Sequence, residues 1–164
     1  MEPTDFLDDY AAGKRNFAGI HLATAYLSGS NLEGVDLREA DLQGTNLNNA
    51  NLRGANLKGA NLGPTLLNGI HVRANLRDTD AEGANLAGAN LRKVNMVRTN
   101  LRNADLREAN LQGAFLLGAD LAGANLRDAI VSAEQLDQAA SLEGAVLPQE
   151  LAEPVEEILS PVVA

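Results

Sequence analysis

The stretch 51–63, NLRGANLKGANLG, sets Leu52, Leu57 and Leu62 five residues apart. A period of five suits neither regular element. In an α-helix each step of five turns about 140° beyond a full circle, so the leucines would scatter around the cylinder. In a strand an odd step sends successive leucines to opposite faces. A chain that keeps this period must turn once per repeat.

The large apolar residue of each unit is position i. The series starts at Phe17 and runs through Leu22, Leu27, Leu32, Leu37, Leu42, Leu47, Leu52, Leu57, Leu62, Leu67 and Val72. It resumes at Leu76 and continues through Ala81, Leu86, Leu91, Met96, Leu101, Leu106, Leu111, Leu116, Leu121 and Leu126 to Val131. Of these 24 positions 19 are Leu, 14 units carry Ala at i−2 and 12 carry Gly at i+2. One small and one large inward residue per unit, followed by a turn-tolerant position, describe a short extended segment and a bend. With bends near 90°, four units close a square, and the next lap stacks on the first at the β spacing of about 4.8 Å. Twenty-four units give six coils and a rod about 29 Å long. No coil is stable alone, because its backbone groups pair with the neighbouring laps.

The repeated A-(D/N)-L-x-x pattern over residues 17–131 resembles the pentapeptide-repeat family, and the helical start ending in AAGKRNF is similar to its cyanobacterial members. The resemblance implies an all-β solenoid, a right-handed quadrilateral β-helix. Leucine-rich repeats fit less well, because their unit is about 20–29 residues. The pattern departs at Ala81 in position i, at Ile20 and Ile70 in i−2, and in one slip. Leu62 and Leu76 are 14 residues apart, one short of three units. The segment 63–73, GPTLLNGIHVR, holds that irregularity, and Pro64 has no N–H to give to a ladder.

The exposed ends of such a stack need covering, and the sequence supplies short helical caps. Residues 1–16 form an N-terminal cap. Residues 3–12 suit a helix with Thr4 as N-cap and Gly13 at C′, and Phe6, Leu7 and Tyr10 would lie over the first coil. Residues 132–164 form a C-terminal cap and acidic tail. SAEQ (132–135) fits a capping box for a helix to about Ala140, and SLEGAVLP (141–148) continues as a partial coil. In the tail, 149–164, Val155, Ile158, Leu159, Val162 and Val163 are apolar; it is either docked, within the chain or across a homodimer, or disordered.

Little here suggests chemistry. The chain has no Cys, so no disulfide, thiol nucleophile or thiolate metal site. His21 and His71 both fall at outward i−1 positions and lie far from any partner of catalytic or ligand spacing. Asp and Asn at i−1 suit local turn hydrogen bonds, and the glycines lack the Lys-Ser/Thr of a phosphate loop. No enzyme, cofactor or metal is expected. The start MEPTDFLDDY has no signal-peptide pattern and no apolar run approaches a membrane span, so the expected location is cytoplasmic.

The net charge of −9 belongs to the ends: residues 17–131 hold 11 acids and 11 bases. Numbering faces from Phe17 with 24 units puts Arg38, Lys58 and Arg77 in one outward column of face 1. It puts Arg53, Arg73 and Arg92 in one column of face 4, and Asp41, Asp80, Glu82 and Asp120 on face 2. Val97, Phe115 and Leu117 make an outward apolar cluster on face 1. These nine bases and apolar residues are the interaction candidates of a non-catalytic structural or protein-binding rod. The partner is expected to be another protein, not a membrane or nucleic acid, and a homodimer through the C-terminal region is a further expectation. The alternatives are two. The resemblance includes quinolone-resistance members that mimic DNA and bind gyrase as acidic dimers, which a neutral coil body with basic faces argues against. The basic faces are the other alternative, as a site for an acidic partner.

Overall fold

A computed structural model of the chain describes residues 2–152; the tail residues Val155, Ile158, Leu159, Val162 and Val163 lie outside them. The backbone winds in square laps of four five-residue sides. Parallel pairing joins the i−1 residue of each side to the residue one lap on, as in Asn16↔Asp36, His21↔Asp41, Tyr26↔Asn46 and Asn31↔Asn51. A period of 20 residues per lap is therefore four units of five.

Each side makes the same bonds. Leu22 N–H donates to Asp41 O at 2.8 Å and Asp41 N–H returns to Ile20 O at 2.9 Å, tying lap to lap. Ala25 N–H donates to Leu22 O at 3.0 Å and closes the corner. The i+2 residue at each such corner has positive φ, as at Gly19 (71°) and Thr24 (60°), which makes the turn type II. That dihedral explains the recurrent Gly at i+2. The inward leucines and alanines form one buried cluster along the axis, with Leu106 fully buried in its column between Leu86 and Leu126. Three i−2 positions are threonine, and their buried hydroxyls donate to backbone oxygens: Thr45 to Leu42, Thr79 to Leu47 and Thr99 to Leu76, each at 2.7 Å.

The slip resolves differently from the expectation. Leu67 and Val72 are not inward units. The pairing offset rises from 20 to 29 at Asn46↔Asn75 and stays there through Asn61↔Asn90. Nine residues thus leave the third lap and return, and Leu76 follows Leu62 directly as the next side. They form the antiparallel hairpin β1 (Thr65–Leu67) and β2 (Ile70–Val72), paired Thr65↔Val72, Leu66↔His71 and Leu67↔Ile70. Asn68 (φ 51°) and Gly69 (φ 78°) are its two-residue turn, the type I′ pattern that Asn-Gly favours. This is the one regular sheet among the described residues.

The ends also differ in detail. Helix α1 (Pro3–Ala11) starts on Glu2, with no side-chain cap bond, instead of Thr4. Pro3 has no N–H to satisfy and its fixed φ suits the first helical position, so the helix begins there. Gly13 takes φ 99° after its end. Phe6 is fully buried and meets Phe17 edge-on, ring centroids 4.7 Å apart. Tyr10 Oη donates to Glu33 O at 2.8 Å. Helix α2 (Ala133–Leu136) has the expected capping box of Ser132 and Gln135, but ends four residues before Ala140. Gly118 N–H already donates to Gln138 O and Ala140 N–H to Ala119 O, so the lap recaptures the chain there. Ser141 and Val146 pair with Asp120 and Asn125, continuing the coil, and α3 (Gln149–Ala152) comes after them.

Candidate interaction surface

Because two assumed units are absent, every face above the hairpin shifts by two sides relative to the 24-unit numbering. With faces 1 to 4 defined by Phe17, Leu22, Leu27 and Leu32, Arg38 and Lys58 share the face 1 column, but Arg77 lies on face 3. Arg53 stays on face 4, Arg92 moves to face 2 and Arg73 ends the hairpin. The basic column expected on face 4 does not exist, whereas the face 1 column keeps Arg38 and Lys58, loses Arg77 and continues past Ala87 to Arg107 and Arg127. Val97 and Leu117 do stack in one column, with Phe115 beside them, but on face 3.

The outward charges are mostly matched locally. Asp36 and Arg38 pair at 2.6 Å along one side, as do Asp105 and Arg107. Between laps, Arg53 bonds Glu82 at 2.6 Å and Asp80 at 3.2 Å, Arg98 bonds Asp78 at 2.7 Å and Arg102 bonds Asp120 at 3.1 Å. The hydrogen bonds from Arg38, Arg107 and Arg98 hold the carboxyls of Asp36, Asp105 and Asp78 below the usual aspartate range. For Asp120 the Ala122 N–H does most of this, followed by Arg102. The remaining Asn and Asp at i−1 serve the turns: Asn51 Oδ1 accepts from Arg53 N–H at 3.0 Å and Asn85 Oδ1 from Ala87 N–H at 3.0 Å. Amide side chains also link laps, Asn90 Nδ2 donating to Asn61 Oδ1 at 2.8 Å.

The surface changes character where the hairpin leaves the coil, at the corner of faces 2 and 3. Thr65 and Val72 lie over Gly44, which is buried beneath them. Leu66, Leu67 and Ile70 remain 62%, 45% and 68% exposed. Two hollows flank the hairpin base. One, of about 270 Å³, is lined by Pro64, His71, Val72, Arg73 and Lys93. The other, of about 340 Å³, is lined by Arg73, Asn95, Val97 and Phe115. The Arg73 guanidinium carbon stands 5.1 Å from the centroid of the Phe115 ring. Phe115 and Leu117 are 43% and 60% exposed. Arg73, Arg77, Val97, Phe115 and Leu117 among the sequence candidates therefore share one neighbourhood, Arg77 one lap below Val97 on face 3, whereas Arg38, Lys58 and Arg53 lie elsewhere on the rod. Sequence reasoning missed Leu66, Leu67, Ile70 and Lys93. The signal was present: TLLNGIHV is an Asn-Gly pair between short apolar runs, the strongest short-range hairpin pattern.

Among the described residues no cluster of three His, Asp or Glu side chains has the closeness a metal ion requires. No described helix is long and apolar enough to cross a membrane.

The architecture defines a solenoid of five-residue units, and comparison agrees. The family model for pentapeptide repeats matches in eight copies, over residues 15–44, 36–69, 72–107 and 99–133. The chain belongs to the pentapeptide-repeat family, whose fold is a right-handed quadrilateral β-helix. The solved structure of alr5209, a pentapeptide repeat protein from Nostoc PCC 7120, is 32% identical, with 89% of this chain and 95% of that one aligned and a TM-score of 0.53. HetL from Nostoc sp. strain PCC 7120, a pentapeptide repeat protein involved in heterocyst differentiation regulation, is 35% identical over 79% of this chain, at a TM-score of 0.40. QnrB1, a plasmid-mediated fluoroquinolone resistance protein, is similar in fold at 19% identity over 84% of this chain, with a TM-score of 0.56. The chain spans 65% of HetL and 66% of QnrB1. A search of the curated proteins finds no match to this chain.

Proposed function

We propose that the chain is a non-catalytic interaction rod that presents the hairpin 65–72 and the adjoining apolar strip of face 3 to another protein. The observation that carries this reading is the insertion itself. Nine residues leave a regular lap, the pairing of Asn61 with Asn90 resumes behind them, and the excursion exposes Leu66, Leu67 and Ile70. Large apolar side chains gathered on a protein surface mark contact sites. Residues 17–131 serve as the scaffold. Residues 2–16 and 132–152 close its two ends, with Phe6 over Phe17 and Leu136 at the top, and neither cofactor nor membrane enters the reading. We place the protein in the cytoplasm. A DNA-like surface is disfavoured: Asp80, Glu82 and Asp120 on face 4 are bound by Arg53 and Arg102 instead of forming a free negative column.

The test is a photo-crosslinking residue placed at Ile70, compared with one at Ala87 on face 1, in extract of the native host. A protein captured from Ile70 and not from Ala87 supports the reading. Equal capture from both positions, or none from Ile70, overturns it.

A further inference from the structure

We infer that the hairpin base is a docking site for an acidic, leucine-type segment of a partner protein, its carboxylates held by Arg73 and Lys93 and its apolar side chains by Phe115 and Val97. The inference rests on the interaction-rod reading and names the chemistry of the partner. Along the coils most arginines meet a carboxylate within 3.3 Å. Arg73, Lys93 and the neighbouring Arg92 have no such partner among the described residues. Positive charge left unmatched beside exposed apolar surface is complementary to a chain carrying negative charge and apolar groups together. Geometry narrows the class. Arg73 lines both hollows, one rimmed by Lys93 and His71, the other floored by Val97 and Phe115. An occupant bridging them places a carboxylate in the first and an apolar side chain in the second. Each hollow has the volume of one or two side chains and sits between a hairpin and a corner, which suits a peptide better than the flat face of an anionic membrane.

The experiment measures fluorescence anisotropy of a labelled dodecapeptide alternating Leu and Glu against the full chain, with Leu/Lys and Ser/Glu peptides as controls. The expected result is saturable binding of the Leu/Glu peptide alone, weakened by added salt. Arg73→Gln and Lys93→Gln should each raise the Kd about fivefold, while Arg107→Gln on face 1 leaves it unchanged; far-UV circular dichroism checks that each variant is folded. Equal binding of the Leu/Lys peptide, or equal loss from Arg107→Gln, overturns the inference. So does binding to phosphatidylserine vesicles that depends on Arg73 and Lys93 in the absence of peptide binding. If the peptide binds only after removal of 153–164, or only to a form that otherwise self-associates through Arg73, the occupant is the chain's own tail or a second copy, and the inference fails. Capture of a partner from Ile70 without Leu/Glu binding leaves the interaction reading standing and removes this one.

Discussion

Two stretches of similar composition have opposite fates. In 50–62, ANLRGANLKGANL, every leucine is fully buried and every turn closes a corner. In 64–73, PTLLNGIHVR, Leu66, Leu67 and Ile70 face solvent. Apolar content does not separate them. The residues just after each leucine do. A coil corner needs a residue of positive φ two places on, with an N–H available at the next position. Two places after Leu62 stands Pro64, whose ring fixes φ near −65°. The corner cannot form, and the chain runs outward until Asn68-Gly69 turns it back. Burial in this fold therefore depends on corner geometry at least as much as on side-chain hydrophobicity.

The strongest way to break this comparison is to remove a leucine from each stretch. Leu106→Ala, standing for the coil leucines, leaves a cavity between Leu86 and Leu126 and should cost about 2–5 kcal/mol. Leu67→Ala in the hairpin should cost well under 1 kcal/mol. Denaturant melts of the two variants measure both. Equal losses would mean that the hairpin is part of the cooperative core.

The same contrast separates what is legible in the sequence from what is not. The period of five, the square lap, the burial of Leu106 and the Ser132–Gln135 box arise from side-chain size and turn chemistry acting within a few residues. The face assignment depends instead on one count carried over the whole chain. Counting Leu67 and Val72 as inward rotates Arg77, Arg92, Val97, Phe115 and Leu117 together by half a turn and carries them away from the hairpin base. A local misjudgement at Pro64 thus becomes a global error in which side chains are neighbours. The Arg73–Phe115 contact, 42 residues apart in sequence, was not legible, because it requires both the insertion and the register beyond it.

A smaller effect probes how tightly the hairpin sits on the coil. Gly44 has φ +65°, and a Cβ there would lie 3.0 Å from Thr65 Cγ2 and 3.2 Å from Val72 Cγ1. Gly29 has φ +70° and open space. Both Gly→Ala changes carry the left-handed cost of about 1–2 kcal/mol. Gly44→Ala should lose more, since the hairpin must also shift. Matching melting temperatures for the two variants would show that the hairpin yields freely.

The smallest expected effect on stability comes from the largest change in sequence. Deleting 65–73 together with Pro64→Gly joins Leu62-Gly-Gly to Ala74-Asn75-Leu76, which restores an uninterrupted unit. Gly at position 64 supplies the corner that proline forbids, and Asn61, Asn90 and the lap-to-lap bonds around them keep their partners. The hairpin contributes only the half-buried Thr65 and Val72 to the packing, and its loss exposes the surface over Gly44. Ordering nine extra residues opposes folding, so their removal offsets much of that lost contact. The variant should fold to a coil with a melting temperature within a few degrees of the parent, while losing both crosslinking at the hairpin and binding of the Leu/Glu peptide. A large drop in melting temperature would instead assign the hairpin a structural role in holding the third lap, and would remove the reason to regard its exposed leucines as a surface made for contact.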